Sequence, residues 1–281
     1  MIWDYGTGIR KAMNVLILGK SGMLAHTVVA NFRHHDIDYE VLGRPELNAQ
    51  DLNNWSVNLS SYDYIINCIG LTNRWEKKIE PSAFTAINSE FPKRLAEKCV
   101  SAGSRLIHVS TDCVFKGGPG PHYEDSVPDG QGVYAESKIA GEPSDKALVI
   151  RTSIIGPEKK NYSALLSWVL SQRGKLVPGF IDHLWNGMTT YQLAECLAKI
   201  IIGDQHVVGV RHLHSPSSVS KFELLQMIVD VYKLENTQVK AVMSGTPKDM
   251  RLASRYPDFI TKLNIAPLAT QLELIANKLQ M

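Results

Sequence analysis

The most constraining stretch is Val15-Leu16-Ile17-Leu18 running into Gly19-Lys20-Ser21-Gly22-Met23-Leu24-Ala25. A continuous apolar run fits a strand covered on both faces, as in a parallel sheet. A helical pattern carrying Val28, Val29 and Phe32 begins directly after the turn. Gly19 permits the tight turn. Gly22 lets the backbone approach a pyrophosphate, which the free N–H groups of a helix start can bind. Ala25 stands where a small side chain allows helix to pack closely on strand. An ordinary strand-to-helix turn could look the same. The dinucleotide reading rests on position: the turn follows the first apolar run and opens a helix.

The alternation recurs. Further apolar runs lie at Tyr39 to Leu42, Tyr64 to Gly70, Leu106 to Val109 and Leu148 to Arg151. Between the third and fourth runs, a helical pattern from Pro81 to Ala102 puts Phe84, Ile87, Phe91, Leu95 and Cys99 on one face. Strands alternating with helices imply an α/β chain of Rossmann type, a doubly wound parallel sheet. Ligands then sit outside the carboxyl ends of the strands. Gly19, Arg44, Cys68 and Ser110-Thr111 all fall at such ends. Cys68, Ile69 and Gly70 are small or apolar, as suits backbone lying under a cofactor. The second run ends in Gly43-Arg44 where an NAD site would want an acid for the ribose hydroxyls. A guanidinium suits a 2′-phosphate. NADP(H) is the expected cofactor and NAD(H) the alternative; the plain reading of Arg44 is a solvated loop residue. Asn48 follows where an adenine edge would be met or a helix capped. Asn88 either braces the neighbouring strands or faces water.

The chemistry is expected at Ser110-Thr111-Asp112-Cys113-Val114-Phe115, which ends the fourth run, and at Tyr134-Ala135-Glu136-Ser137-Lys138, which opens a short helix. Tyr134 and Lys138 lie one turn apart on the same helix face. An ammonium near a phenol lowers its pKa, making Tyr134 a proton donor or acceptor near neutral pH. Thr111 would hold a substrate carbonyl oxygen against that phenol. Ten tyrosines make one such spacing by chance unremarkable, so the pair counts only with its surroundings. The Gly- and Pro-rich stretch from Gly117 to Gly132 reads as a mobile cover.

Beyond residue 155 the pattern loosens. Ser163 to Gln172, Tyr191 to Ile202 and Lys221 to Tyr232 are helical, and Gly209 to Leu213 is a strand. The loops around Trp185-Asn186-Gly187 and Thr246 to Arg251 carry Trp185, Asn186 and Arg251, suited to stacking on a base and pairing with phosphates. The expected division is a dinucleotide domain over 13–155 with a returning segment over 186–213. A substrate domain takes 156–185 and 214–281, and a loose arm takes 1–12. His212-x-His214 has no nearby carboxylate or cysteine, so no metal site is expected. With 281 residues and 44% apolar content the chain can bury a sizeable core. A net charge of +2 points to no nucleic acid and no membrane surface. Cys68, Cys99, Cys113 and Cys196 are scattered without Cys-x-x-Cys, which fits reduced thiols and a cytoplasmic location.

The Gly19 to Leu24 turn, Ser110 to Phe115, Tyr134-x-x-x-Lys138 and Arg151-Thr152-Ser153 together resemble the extended short-chain dehydrogenase/reductases. Within them the chain is most similar to the nucleotide-sugar 4-ketoreductases of the dTDP-4-dehydrorhamnose reductase kind. The likeness is clear from Asn14 to Gly156 and thinner beyond. It implies a smaller C-terminal α/β substrate domain and reduction of a nucleotide-linked 4-keto-6-deoxy sugar. Thr111, Tyr134 and Lys138 match the family's catalytic residues, and Asp112 a position beside substrate. Gly22, Met23 and Leu24 match its phosphate turn, and Cys68, Ile69 and Gly70 the stretch beneath the cofactor. Ser110, Tyr134 and Lys138 join the expected cofactor contacts, with Gly19 and Ser21. Asn48 stands where the family often has an acid. The alternatives are an epimerase or dehydratase that retains NAD, and a non-catalytic NADP-binding regulatory subunit. A homodimer is compatible with either.

Overall fold

The computed structural model describes residues 13–35, 37–44, 46–51, 57–158 and 164–280; the expected loose arm, 1–12, lies outside them. The first half alternates as the sequence implies. It runs β1 (Met13–Leu18), α1 (Met23–Phe32), β2 (Ile37–Leu42), β3 (Tyr64–Asn67), α2 (Pro81–Phe84), α3 (Phe91–Ala102), β4 (Arg105–Val109), α4 (Val133–Ala140) and β5 (Leu148–Arg151). The second half adds β6 (Ile154–Ile155), α5 (Leu165–Leu170), β7 (Leu176–Phe180), β8 (His183–Trp185), β9 (Met188–Thr189), α6 (Thr190–Ile202) and β10 (Gly209–His212). It closes with β11 (Val219–Ser220), α7 (Lys221–Val231), β12 (Gln238–Val242), β13 (Lys248–Asp249), α8 (Pro257–Leu263) and α9 (Leu268–Gln280).

The main sheet has six parallel strands in the order β10-β5-β4-β3-β1-β2. β1 pairs with β2 on one side and β3 on the other, so Ile17 sits beside both Val41 and Ile66. The chain order reverses there, opening a crevice between the loops after β1 and β3. The inner strands β1, β3, β4 and β5 are largely apolar because both faces are covered, whereas the edge strands β2 and β10 carry Asp38, Glu40 and Arg211. Val15, Ile17, Ile66 and Ile107 meet α1 and α6 through Val28, Phe32, Leu193 and Leu197. Leu16, Leu18, Ile65 and Leu106 meet α3 through Phe91, Leu95 and Cys99.

The expected helix over 81–102 is interrupted by one π-helical stretch, Thr85–Glu90. Such widened turns free side chains and backbone for other partners. Asn88 accepts from Leu71 N–H at 2.8 Å, donates to Leu71 C=O at 3.0 Å, and donates to Ser137 at 3.0 Å. It braces the loop after β3 against α4.

A separate apolar cluster forms beyond the sheet, from Leu166, Val169, Val177, Trp185, Leu224, Ile228, Leu268 and Leu272. β10 returns to the sheet's edge. The stretch around α8 does not join the second cluster: Leu263, Phe259 and Ile260 pack on the sheet's α1/α6 side. The loop from Gly117 to Gly132, expected as a mobile cover, is fastened down. In the segment after β13, Arg251 C=O accepts from His122 N–H and Ala253 N–H donates to His122 C=O, and Glu124 accepts from His212, Ser254 and Arg255. No helix among the described residues is long and apolar enough to cross a membrane.

Candidate active site

Two adjoining cavities of ≈ 480 Å³ and ≈ 530 Å³ lie over the strands' carboxyl ends and share Gly22, Cys68, Ile69, Gly70 and Leu71. The second cavity is the outer half, bounded by Gly19, Ser21, Gly43 and Arg44. Gly19 turns with φ of +107°, a region that L side chains rarely adopt, and an added Cβ would press on the Cys68 backbone at 3.2 Å. Gly22 precedes α1 in extended conformation, and Met23 and Leu24 open the helix on the inner cavity. Arg44 is exposed at the rim. Asn48 does not line the cleft; its side chain accepts from Gln50 N–H at 3.1 Å, closing its own turn. Leu47, Ala49 and Gln50 line the cavity instead.

The first cavity gathers Ser110, Thr111, Asp112, Tyr134 and Lys138. β4 delivers Ser110 and Thr111, and α4 delivers Tyr134 and Lys138. α4 begins at Gly132 with no cap of its own. Glu76, from the loop after β3, accepts from Tyr134 N–H at 2.7 Å and supplies the missing partner. The Thr111 hydroxyl donates to Asp112 Oδ1 at 3.2 Å and lies beside the Tyr134 phenol in the same cavity. It also accepts from Cys113 N–H at 3.1 Å, which fixes its position.

The phenol is not lowered as the Tyr134/Lys138 spacing suggested. Burial pushes its pKa above the ordinary tyrosine value, Cys113 adds to this, the Thr111 hydroxyl opposes it, and Asp112 and Glu76 add again. The lysine turns away: Nζ donates to Val109 C=O at 3.0 Å and lies 3.4 Å from His108 Nε2. Burial pushes Lys138 itself down to about 8, against the pull of Glu142. A phenol so placed stays protonated at neutral pH and can only donate. Ser110 is engaged with Glu142 at 2.6 Å, whose carboxylate is forked by Arg151 at 2.7 and 2.9 Å.

Asp112 is 4% exposed. Burial raises its pKa, with hydrogen bonds from Ser153, Thr111 and Cys113 and the charge of Lys221 opposing. The three other expected substrate residues lie off the cleft. Trp185 is 3% exposed in the second core, beneath the Lys221 ammonium at 4.8 Å. Asn186 spends its amide on Leu252, donating to C=O at 2.7 Å and accepting from N–H at 2.9 Å. Arg251 forks onto Asp249 at 2.8 and 2.6 Å. In each case a stronger local partner wins over an open loop. His212 Nδ1 faces Ala253 C=O, and His214 Nδ1 faces Ser215 C=O.

Sequence reasoning missed the far wall of the cleft: Thr72, Asn73, Arg74, Ser153, Glu158 and Leu165. Arg74 and Glu158 form an ion pair across its mouth. Only the folded chain brings these loops together. The Thr72 and Thr152 hydroxyls are buried at this wall without a partner among the described residues. Unpaired buried hydroxyls fit a ligand that is itself polar.

The dTDP-4-dehydrorhamnose reductase of Mycobacterium tuberculosis is 28% identical over 248 residues, 84% of this chain and 81% of that protein. The methionine adenosyltransferase 2 subunit beta of Xenopus tropicalis is 23% identical over 260 residues, 83% and 77% of the two chains. Among solved structures, the dTDP-4-dehydrorhamnose reductase of Bacillus anthracis in complex with NADP superposes with a TM-score of 0.81 at 20% identity, covering 95% of this chain and 99% of that one. Residues 13–256 match the family described as the RmlD substrate binding domain, and the chain belongs to that family.

Proposed function

We propose that the protein is an NADPH-dependent oxidoreductase that reduces the 4-keto group of a nucleotide-linked 4-keto-6-deoxy sugar. The observation that carries this reading is that Thr111, Tyr134 and Lys138 line one cleft that continues past Gly22. The relatives named above support the substrate class. The bound NADP of the Bacillus anthracis structure supports the cofactor.

The residues present fit a dinucleotide. The α1 start and Gly22 would hold its pyrophosphate, the Cys68 to Gly70 backbone would run beneath it, and Arg44 would meet a 2′-phosphate. NADPH supplies the hydride when bound. The protein's own share is the proton and the polarisation of the carbonyl. Thr111 and Tyr134 line one cavity, where the keto oxygen would sit within reach of both hydroxyls. Tyr134, held protonated, gives its proton to that oxygen as it gains charge. The unpaired hydroxyls of Thr72 and Thr152 would take sugar hydroxyls. Four free thiols are in keeping with a cytoplasmic setting.

The test is a panel of dTDP- and UDP-linked 4-keto sugars, with oxidation of NADPH or NADH followed by absorbance. A Tyr134→Phe protein is expected to bind NADPH as before while turnover falls roughly 10²-fold or more. Unchanged turnover removes Tyr134 from the reaction. A second reading, a non-catalytic NADP-binding subunit, is favoured by the likeness to the Xenopus protein. NADPH binding with no oxidation against any ketosugar, and a partner enzyme retained on purification, would select it.

A further inference from the structure

Lys138 is enclosed on every side. From β4 come the Val109 carbonyl and His108. Beyond its own helix lies Glu142, a carboxylate already bound by Arg151 and Ser110. Within the cleft, Tyr134, Asp112 and Cys113 share its cavity. Of these, His108 is the group whose hydrogen-bonding sense the structure determines.

His108 is 1% exposed, next to the buried Leu106 and Ile107 of its strand. Its Nδ1 lies 3.0 Å from Asn67 Nδ2. The Asn67 amide is not free to turn over, because its Oδ1 accepts from Ile69 N–H at 3.0 Å. Reversal would set an amide nitrogen against that N–H. Nδ2 therefore donates to Nδ1, and Nδ1 accepts. A neutral imidazole then carries its proton on Nε2. That N–H faces Lys138 Nζ at 3.4 Å. An ammonium has three donors and no lone pair, so donor would meet donor. An uncharged amine accepts from Nε2–H and still donates to Val109 C=O.

We propose that Asn67 and His108 are positioning residues that aim the Nε2–H of His108 at Lys138 and so weaken the hold of that amine on its proton in the empty cleft. Burial acts in the same direction on both groups, lowering Lys138 to about 8 and keeping His108 neutral. The test below does not depend on the reductase reading.

Pulse acetylation of cofactor-free protein over pH 6.5 to 10, with the Lys138 peptide followed by mass spectrometry, reports the fraction of free amine. His108→Leu keeps the site dry and removes the opposing N–H. Lys138 labelling near neutral pH should then fall roughly tenfold, the midpoint rising by about one unit. His108→Gln can accept from Asn67 through Oε1 and donate to Lys138 through Nε2, and should restore the wild-type midpoint. Equal midpoints in all three proteins would overturn the proposal. Should His108→Leu not fold, the ¹⁵N shifts of His108 in the wild-type protein decide the matter. Nε2 protonated and Nδ1 bare supports it; the reverse tautomer, or an imidazolium at neutral pH, overturns it. Neither readout uses ketosugar turnover, so a failed reductase assay and a failed lysine assay are distinct results.

Discussion

A lysine shut inside a protein weighs on its stability, and Lys138 gives that weight a pH signature. It is 4% exposed and its folded pKa of about 8 lies below the ordinary 10.5. Between those values the unfolded chain binds more protons than the folded one. Stability therefore rises with pH across that window, and at neutral pH the site costs on the order of a few kcal/mol. Lys138→Met should make the cofactor-free protein more stable at pH 7 by about 1–3 kcal/mol. The gain should shrink steadily from pH 8 to 10, read from thermal midpoints. A constant gain would mean that the lysine is charged and satisfied. Arg44 sits at the other end of the cleft, exposed beside Ser21 and Gly43. A charge-assisted contact contributes about 1.5–3 kcal/mol, so Arg44→Glu should lower kcat/KM for NADPH roughly 10- to 100-fold and spare NADH. Equal losses with both cofactors would remove Arg44 from the 2′-phosphate.

At the scale of elements, α4 is a short helix that carries Tyr134 and Lys138 into the cleft, and it is held from outside. Glu76 partners its first turn. Asn88 and Ser89, both on the π-helical stretch, bond to Ser137. Gly141 closes it: a Cβ there would come within 1.8 Å of Asn88 C=O. No rotamer relieves a clash with backbone. Gly141→Ala should destabilise the fold by about 3 kcal/mol, seen as a lower urea midpoint at unchanged slope. It should also impair ketosugar reduction more than NADPH binding, because α1 and its turn stay in place. A neutral result would mean that α4 floats.

These supports explain what could be read in advance. The strand ends, the Gly19–Gly22 turn and the Thr111, Tyr134 and Lys138 set were legible because each follows from local pattern: an apolar run, a glycine, a helical spacing. Asn88 was left between two readings because its partners lie on two other elements. Trp185, Asn186 and Arg251, expected at the substrate, lie off the two cavities, because stacking and phosphate pairing are only what such residues can do. Whether a loop residue faces a ligand depends on whether Leu252 or Asp249 reaches it first. His108 was absorbed into an apolar run, and only Asn67, from the neighbouring strand, gives it a direction.

At the scale of the molecule, the loop between β4 and α4 is an ordered strap with a titratable buckle. Glu124, in the loop between β4 and α4, accepts from His212 N–H at 2.9 Å, Ser254 at 2.6 Å and Arg255 N–H at 2.8 Å. It thereby ties that loop to the sheet edge and to the segment leading into α8. His212 is fully buried and gives its Nδ1 proton to Ala253 C=O at 2.9 Å, while Nε2 has no partner among the described residues. Burial holds it neutral, down to about 4, with Glu124 pulling upward and Arg151 pushing down. The unfolded histidine titrates near 6.5. Below that pH the unfolded chain takes up a proton that the folded chain refuses, so stability falls as pH drops from 6.5 towards 4. Glu124 acts in a lower window. Burial would raise it, but its bonds to Ser254, Arg255 and His212 outweigh burial and hold it below the ordinary carboxylate value. Its contribution is kept down to about pH 4.5 and lost below. The two windows separate the residues. His212→Asn can keep the bond to Ala253 and has nothing to protonate, so its thermal midpoint should fall less steeply from pH 6.5 to 5 than that of the wild type, the decline that remains belonging to His108 and His206. An equally steep decline would place the acid sensitivity elsewhere, and the strap would then be a passive tie.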